Sequence, residues 1–327
     1  MLGALCVSLL AINLQAAEDA WLKLAKTIPL PDVRGRIDHF AVDVQGHRLF
    51  MAALGNDTVE VIDLETAKRI HTITGCSTPQ GLAFLPAANR LVIANGRSGE
   101  VRILDAKTFD TIKSLGGMPD ADNVRYDAKS DLIYVGYGDG VLAIINATNS
   151  EVVAQIQLAG HPESFQLEKK GNRIFVNVPD AGHVVVVDCH TRSVIEKWPT
   201  EPFHANFPMA LDEENHRLFI GCRRPARLVV LDTKTGKRIN DVEISGDTDD
   251  LFYDGSHKKI YVSCGAGFLN VINQLSADSY QLQGKITTAS GARTSFFSPE
   301  RDEFSLAVRA GLITGKAEVR VFKITGE

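Results

Sequence analysis

Residues Arg48 to Ala53 read RLFMAA: one charged residue, then alternating aliphatic and aromatic residues, then two small ones. The phrase returns as RLVIAN from Arg90, DLIYVG from Asp131, RIFVNV from Arg173, RLFIGC from Arg217, KIYVSC from Lys259 and EFSLAV from Glu303. Successive starts lie 42, 41, 42, 44, 42 and 44 residues apart. A fixed period of this size marks a repeat architecture in which each unit is one supersecondary element.

Outward from each phrase the pattern is equally regular. A Gly/Asn/Asp-rich turn follows, then a second apolar run that usually ends in Asp or Asn, as at Asp63, Asp105, Asn146, Asp188, Asp232 and Asn273. A third run precedes the phrase (Phe40 to Val44, Val124 to Asp127, Leu251 to Asp254), and a weaker fourth closes the unit, as in Arg69 to Ile73. Four short strands separated by turn residues make a propeller blade. No segment sustains helical periodicity. The expected fold is all-β: a seven-bladed β-propeller with four antiparallel strands per blade. The seventh repeat ends at Val319 to Ile324 with no outer strand, while Trp21 to Ile28 is an apolar stretch with no repeat of its own. Pairing the two closes the ring, removes an open blade edge and makes residues 18–327 a single domain.

Residues 1–17 are apolar and end in Ala16 and Ala17 ahead of Glu18 and Asp19, the pattern of a secretory signal, although no Lys or Arg precedes the apolar run. The expected location is therefore periplasmic or extracellular, with no membrane span after cleavage. The formal charge of −5, from 35 basic and 40 acidic residues, gives no bulk attraction to nucleic acid or an anionic membrane. Aromatic residues fall in the apolar phrases and read as core, so nucleic acid is not a favoured partner. Outside the leader the cysteines are Cys76, Cys189, Cys222 and Cys264. Cys222 and Cys264 occupy one repeat position in neighbouring blades; stacked sheets lie about 10 Å apart, too far for the roughly 7 Å a disulfide allows. Free, mostly buried thiols are expected.

The phrases resemble the YVTN-repeat, YncE-like propeller family, with IYVGY at Ile133 to Tyr137 and IYVSC at Ile260 to Cys264 nearest its namesake. The resemblance runs from residue 21 to 326. It implies an exported propeller and supplies no catalytic residue to carry over.

Chemistry is sought where the repeats depart from packing needs. The turns leading into each innermost strand open onto one face around the channel, and loops on a rigid scaffold are where function concentrates. Those positions hold Asp38 and His39, Gln80, Asp122 and Asn123, Glu163, Asn206, Asp249 and Asp250, and Arg293. Solvated turn residues would account for them. Converging carboxylates, however, repel unless a cation or arginine neutralises them, and a hard cation such as calcium takes oxygen ligands in this way. Glu163, Asp249 and Asp250 are the carboxylate metal candidates. His161, His183 and His204, on the same face, are the imidazole ones, with solvent-exposed turn histidines as the alternative. The loops between second and third strands add Arg223 and Arg224, whose planar forks suit a carboxylate or phosphate unless they pair with the ring acids. His39 beside Asp38 is placed to act as a general base. There is no P-loop, no dinucleotide fingerprint, no HExxH, no paired CxxC and no nucleophile elbow. The expected function is a binding module for a small polar ligand, a metal ion or a partner protein; the alternative is a metal-assisted lactonase or lyase built on the carboxylate ring.

Overall fold

The computed structural model describes residues 21–311 and 315–325; the signal expected over 1–17 lies outside the described residues. The described chain forms seven four-stranded antiparallel sheets. Blade 1 is representative: Phe40–Asp43 innermost, then Arg48–Ala53, Thr58–Asp63 and Lys68–Ile73 outermost. Blade 7 breaks chain order. Its three inner strands are Ser295–Ser298, Glu303–Val308 and Ala317–Ile324, and its outer strand is the N-terminal Leu22–Leu30, in register from Leu22 opposite Ile324 to Leu30 opposite Ala317. The ring is closed as the sequence predicts.

The repeated phrase is the second strand of each blade, and its composition follows from its position. Neighbouring blades cover both of its faces, so both alternating sets of side chains are buried; in Arg48–Ala53 only the arginine is partly exposed. Outer strands have one wet face, which explains their weaker sequence signal: Lys68–Ile73 buries only Ile73. The core is accordingly divided into seven wedges, one between each pair of blades. Phe50, Ala52 and Val61 of blade 1 pack with Leu82, Leu91 and Ile93 of blade 2, and the closing strand puts Ile28 and Leu30 against blade 1 and Leu22 against blade 6.

Two recurring polar features are structural. The Asp that ends the third strand caps the following turn: Asp63 Oδ1 accepts the backbone N–H groups of Glu65 at 2.9 Å and Thr66 at 2.7 Å, and Asp105, Asp188 and Asp232 repeat the arrangement. The arginine that opens a phrase reaches the next blade. Arg90 donates to Ala147 O at 2.6 Å and Arg217 to Ala277 O at 2.9 Å, with Arg48 on Ala106 O and Arg173 on Thr233 O. These aspartates cap turns, and these arginines latch adjacent blades. Cys76, Cys189, Cys222 and Cys264 are free thiols.

Candidate functional site

The turn into each inner strand contains a β-bulge. In blade 1 the Asp38 N–H donates to Ala52 O and the Ala52 N–H to His39 O; Asp122 and Asn123 bracket Gly136 likewise, as Glu163 and Ser164 bracket Asn177. Two residues thus oppose one, which re-aims side chains out of the regular alternation. Here they are aimed into the channel mouth. The resulting cavity of about 330 Å³ is lined by Asp38, His39, Gln80, Asp122, Asn123, Glu163, Asp249, Arg223 and Arg293, all named by the sequence.

Five expected residues lie outside this cavity, Asp250 just below it and four others farther off. Asn206 is fully buried within blade 5, donating to Asn177 Oδ1 at 2.9 Å and His183 O at 3.2 Å. Arg224 is exposed and pairs in register with His204, away from the cavity. His204 is likewise exposed, at the start of its strand. His183 turns Nδ1 back onto Ala181 O at 3.0 Å. The three-histidine metal expectation is therefore corrected: each loop fixes its own ring orientation, and only His161 reaches the carboxylates.

The ring divides into two arcs. In the first, Arg223 Nη2 pairs with Asp249 Oδ1, and its Nε donates to Thr248 O at 2.7 Å while the guanidinium lies 3.7 Å from the centre of the Phe207 ring. Arg293 contacts Asp249 Oδ2 at 2.9 Å and Asp247 Oδ1 at 2.6 Å. Burial pushes the Asp249 carboxyl upward, opposed by Arg293 and Arg223. These arginines are committed to the ring acids, and both Asp249 oxygens already face an arginine. Asp250 is equally engaged: Oδ2 accepts the Ser295 N–H at 2.7 Å, and it faces down the channel.

The second arc has no arginine on its central acids. Asp122, His161 and Glu163 each offer a ligand atom, all within 4.8 Å of one another. His161 Nδ1 lies 2.7 Å from Gly138 O. A carbonyl only accepts, so Nδ1 carries the hydrogen and Nε2, 3.8 Å from Asp122 Oδ2, is left facing the acids. Asp122 is 9% exposed, and its Oδ1 is buried with no hydrogen-bond partner. Burial, then the Asp122 charge, pushes Glu163 up to about 8. Burial lowers His161, but Asp122, Gly138 O and Glu163 outweigh it and raise the ring to about 9. Protons hold together a cluster that repulsion would otherwise open.

His39 joins the arcs. Its Nδ1 is 3.6 Å from Asp250 Oδ1, and its Nε2 is 3.8 Å from Asp38 Oδ1 and 3.7 Å from Asp122 Oδ1. Burial opposes the charge, yet the surrounding carboxylates hold the imidazole at about 10. Three carboxylates around the imidazole favour its protonated form, which counts against the general-base expectation and suits His39 to serve as a cation of the ring. Beside it Asp38, 3.3 Å from Arg36, is pushed by burial up to about 7.

The sequence reading did not single out Asp120 and Asp247. Each lies two residues before a lead-in carboxylate, with φ of 50° and 61°. His161 holds the same place before Glu163 and Arg36 before Asp38, so aligning that position across the repeats would have found them.

No protein-family model matches the chain. The YncE proteins of Salmonella typhimurium and Salmonella typhi are each 21% identical over 209 residues, 61% of this chain and 58% of the relative; the match thus spans less than two thirds of their length. Among solved structures, a chain of Kuenenia stuttgartiensis hydrazine synthase superposes with a TM-score of 0.77 at 15% identity, covering 90% of this chain and 98% of that one. At this distance the solved structure carries the fold alone. The chain is a seven-bladed β-propeller that resembles the YncE proteins over part of its length.

Proposed function

We propose that this propeller is a binding module whose channel mouth takes one divalent cation on Asp122, His161 and Glu163, leaving the rest of the cavity for a small polar ligand. One observation carries the reading: the three ligand atoms within 4.8 Å of one another. The His161 tautomer supports it, because a ligating imidazole characteristically donates its other N–H to a carbonyl or carboxylate. The donor set of one imidazole and two carboxylates suits Zn²⁺ or Mn²⁺ better than the calcium considered from sequence, since hard Ca²⁺ prefers oxygen alone. The ion would replace the protons that now offset repulsion in the arc.

The lactonase or lyase alternative has less support, since three carboxylates favour the protonated form of its named base His39, and binding is the reading retained. Export stays part of the proposal, supported by the apolar leader in the sequence; among the described residues no helix is long and apolar enough to cross a membrane. N-terminal sequencing of the protein recovered after cell fractionation tests that part.

The main test is calorimetry with elemental analysis on chelator-stripped protein offered Zn²⁺, Mn²⁺ and Ca²⁺. The expected result is one ion per chain, Zn²⁺ bound more tightly than Ca²⁺, and loss of uptake in Asp122→Asn and Glu163→Gln. No uptake, or uptake indifferent to both substitutions, overturns the reading.

A further inference from the structure

Below the ring the channel opens into a cavity of about 490 Å³, walled by all seven inner strands and sharing His39 and Ser164 with the mouth. That volume is within the range of small-molecule pockets, roughly 300–1,000 Å³. A channel that were only packed would repeat one residue type around its wall. This one does not. Three residues beyond the first lead-in residue, the seven blades carry Ala41, Ala83, Arg125, Gln166, Ala210, Phe252 and Phe296. Ala41 and Ala83 leave room in the wall, and the two large apolar groups fall together. Phe252 and Phe296, half-buried and edge-to-face with centres 6.0 Å apart, form an aromatic wall on blades 6 and 7. Phe84 adds a third partly exposed ring. By blade order, Arg125 on blade 3 faces this wall.

Arg125 is the unusual group. Its Nη1 donates to Val124 O at 2.9 Å and its Nη2 makes a long contact of 3.4 Å to Ser164 Oγ, while the guanidinium lies 5.5 Å from the Phe165 ring centre. Among the described residues it forms no ion pair, whereas Arg223 and Arg293 above it do. Asp122 and Asp250 support its charge from a distance, and burial still weighs against it. A guanidinium offers five donors in a planar fork, so much of its hydrogen-bonding capacity is unused. At the far end of the cavity Lys169 is exposed and likewise unpaired among the described residues. Both unpaired cations of the channel thus border one aromatic-walled space.

We infer that the channel binds a small monocarboxylate with an apolar, ring-bearing body, its carboxylate on the Arg125 fork and its body against Phe252 and Phe296. Anion and aromatic wall recognise two ends of one molecule, and the alanine positions give it width.

Three probes of matched shape test this: 4-phenylbutyrate, 4-phenylbutanol and 4-phenylbutylamine, titrated calorimetrically into the full chain. Fluorescence of a Phe296→Trp variant reports the location. The acid should bind at least about tenfold more tightly than the alcohol or the amine, as expected for a charge-assisted bidentate contact. Arg125→Met should remove that preference, Arg125→Lys should restore part of it, and Glu163→Gln should leave it unchanged, which separates this site from the metal site. Equal binding of acid and alcohol, preference for the amine, no binding of the acid at about millimolar concentration, or a preference that survives Arg125→Met overturns the inference. The acid-against-alcohol comparison needs no substitution at Arg125, so it decides the matter even where that variant fails to fold.

Discussion

The two arcs of the channel mouth start from the same ingredients, carboxylates aimed inward by bulges, and neutralise them differently. On blades 5 to 7 two arginines grip Asp249 and Asp247 directly, and Phe207 lies under one of them. On blades 3 and 4 the acids Asp122 and Glu163 have no arginine, only the imidazoles of His161 and His39 and shared protons. An arginine stays charged at any pH the protein meets, so the first arc is a finished structural unit. A proton or an imidazole can be displaced. Exchangeable neutralisation is what the proposed metal site on the second arc rests on.

Breaking the first arc should therefore cost stability and breaking the second should cost binding. Arg223→Met gives the largest effect. It strands Asp249, whose side chain is 14% exposed, beside a single remaining arginine. Removing one partner of a buried pair costs about 3–5 kcal/mol, and because Arg293 still holds the other oxygen we expect about 3 kcal/mol, read from urea denaturation. His161→Ala is the matching test of the second arc. It should weaken Zn²⁺ binding about a hundredfold, since even supporting partners of a ligand are worth 10–100-fold, and should lower stability by less than Arg223→Met does. An inverted result, with His161→Ala unfolding the protein and Arg223→Met abolishing metal uptake, would erase the distinction.

How much of this was legible follows from the repeat. Burial on both faces forces every second strand into the same apolar phrase, so Arg48–Ala53 and its six copies announce the blades. The closing strand was visible as an apolar stretch without a repeat. Asp122, Glu163 and Asp249 were found because the bulge occupies a fixed place in the period. What period cannot show is which acid an arginine reaches: Arg223 leaves blade 5 to hold Asp249 of blade 6, a choice made by loop geometry. For the same reason His161, His183 and His204 look equivalent in sequence, yet each ring is turned by its own carbonyl or strand end. Arg125 was missed because it sits inside the short strand Val124–Asp127, where a charge reads as a solvated face and not as a channel wall.

The third prediction uses pH. Folding raises Glu163 from 4.5 to about 8 and His161 from 6.5 to about 9. A group whose pKa is raised on folding stabilises the fold below its unfolded value, and that contribution is lost as pH rises through the folded value. The metal-free protein should thus lose stability between about pH 4.5 and about 9. We expect on the order of 2 kcal/mol across this range, well under the full shifts because the two groups compete for shared protons. Zn²⁺ affinity should rise over the same window as the ion displaces those protons. Glu163→Gln, which cannot titrate, should flatten the stability profile at its acid end; an unchanged profile would show that the second arc does not hold its protons as the geometry requires.

The smallest effect refines the first arc. Phe207 contributes no charge, but its ring lies 3.7 Å beneath the Arg223 guanidinium. Such a contact is worth about 0.5–1 kcal/mol when partly exposed and about 2 when desolvated. Phe207→Leu keeps an apolar side chain and deletes the ring face, so it should lower stability by about 1 kcal/mol. A double-mutant cycle with Arg223→Met isolates the contact from the pair to Asp249. If the two losses add, the arginine is held by its carboxylate alone. If the double variant loses less than their sum, ring and carboxylate act on one guanidinium from two sides. Rigidity of that kind is what a finished arc should have and the proposed metal-binding arc should lack.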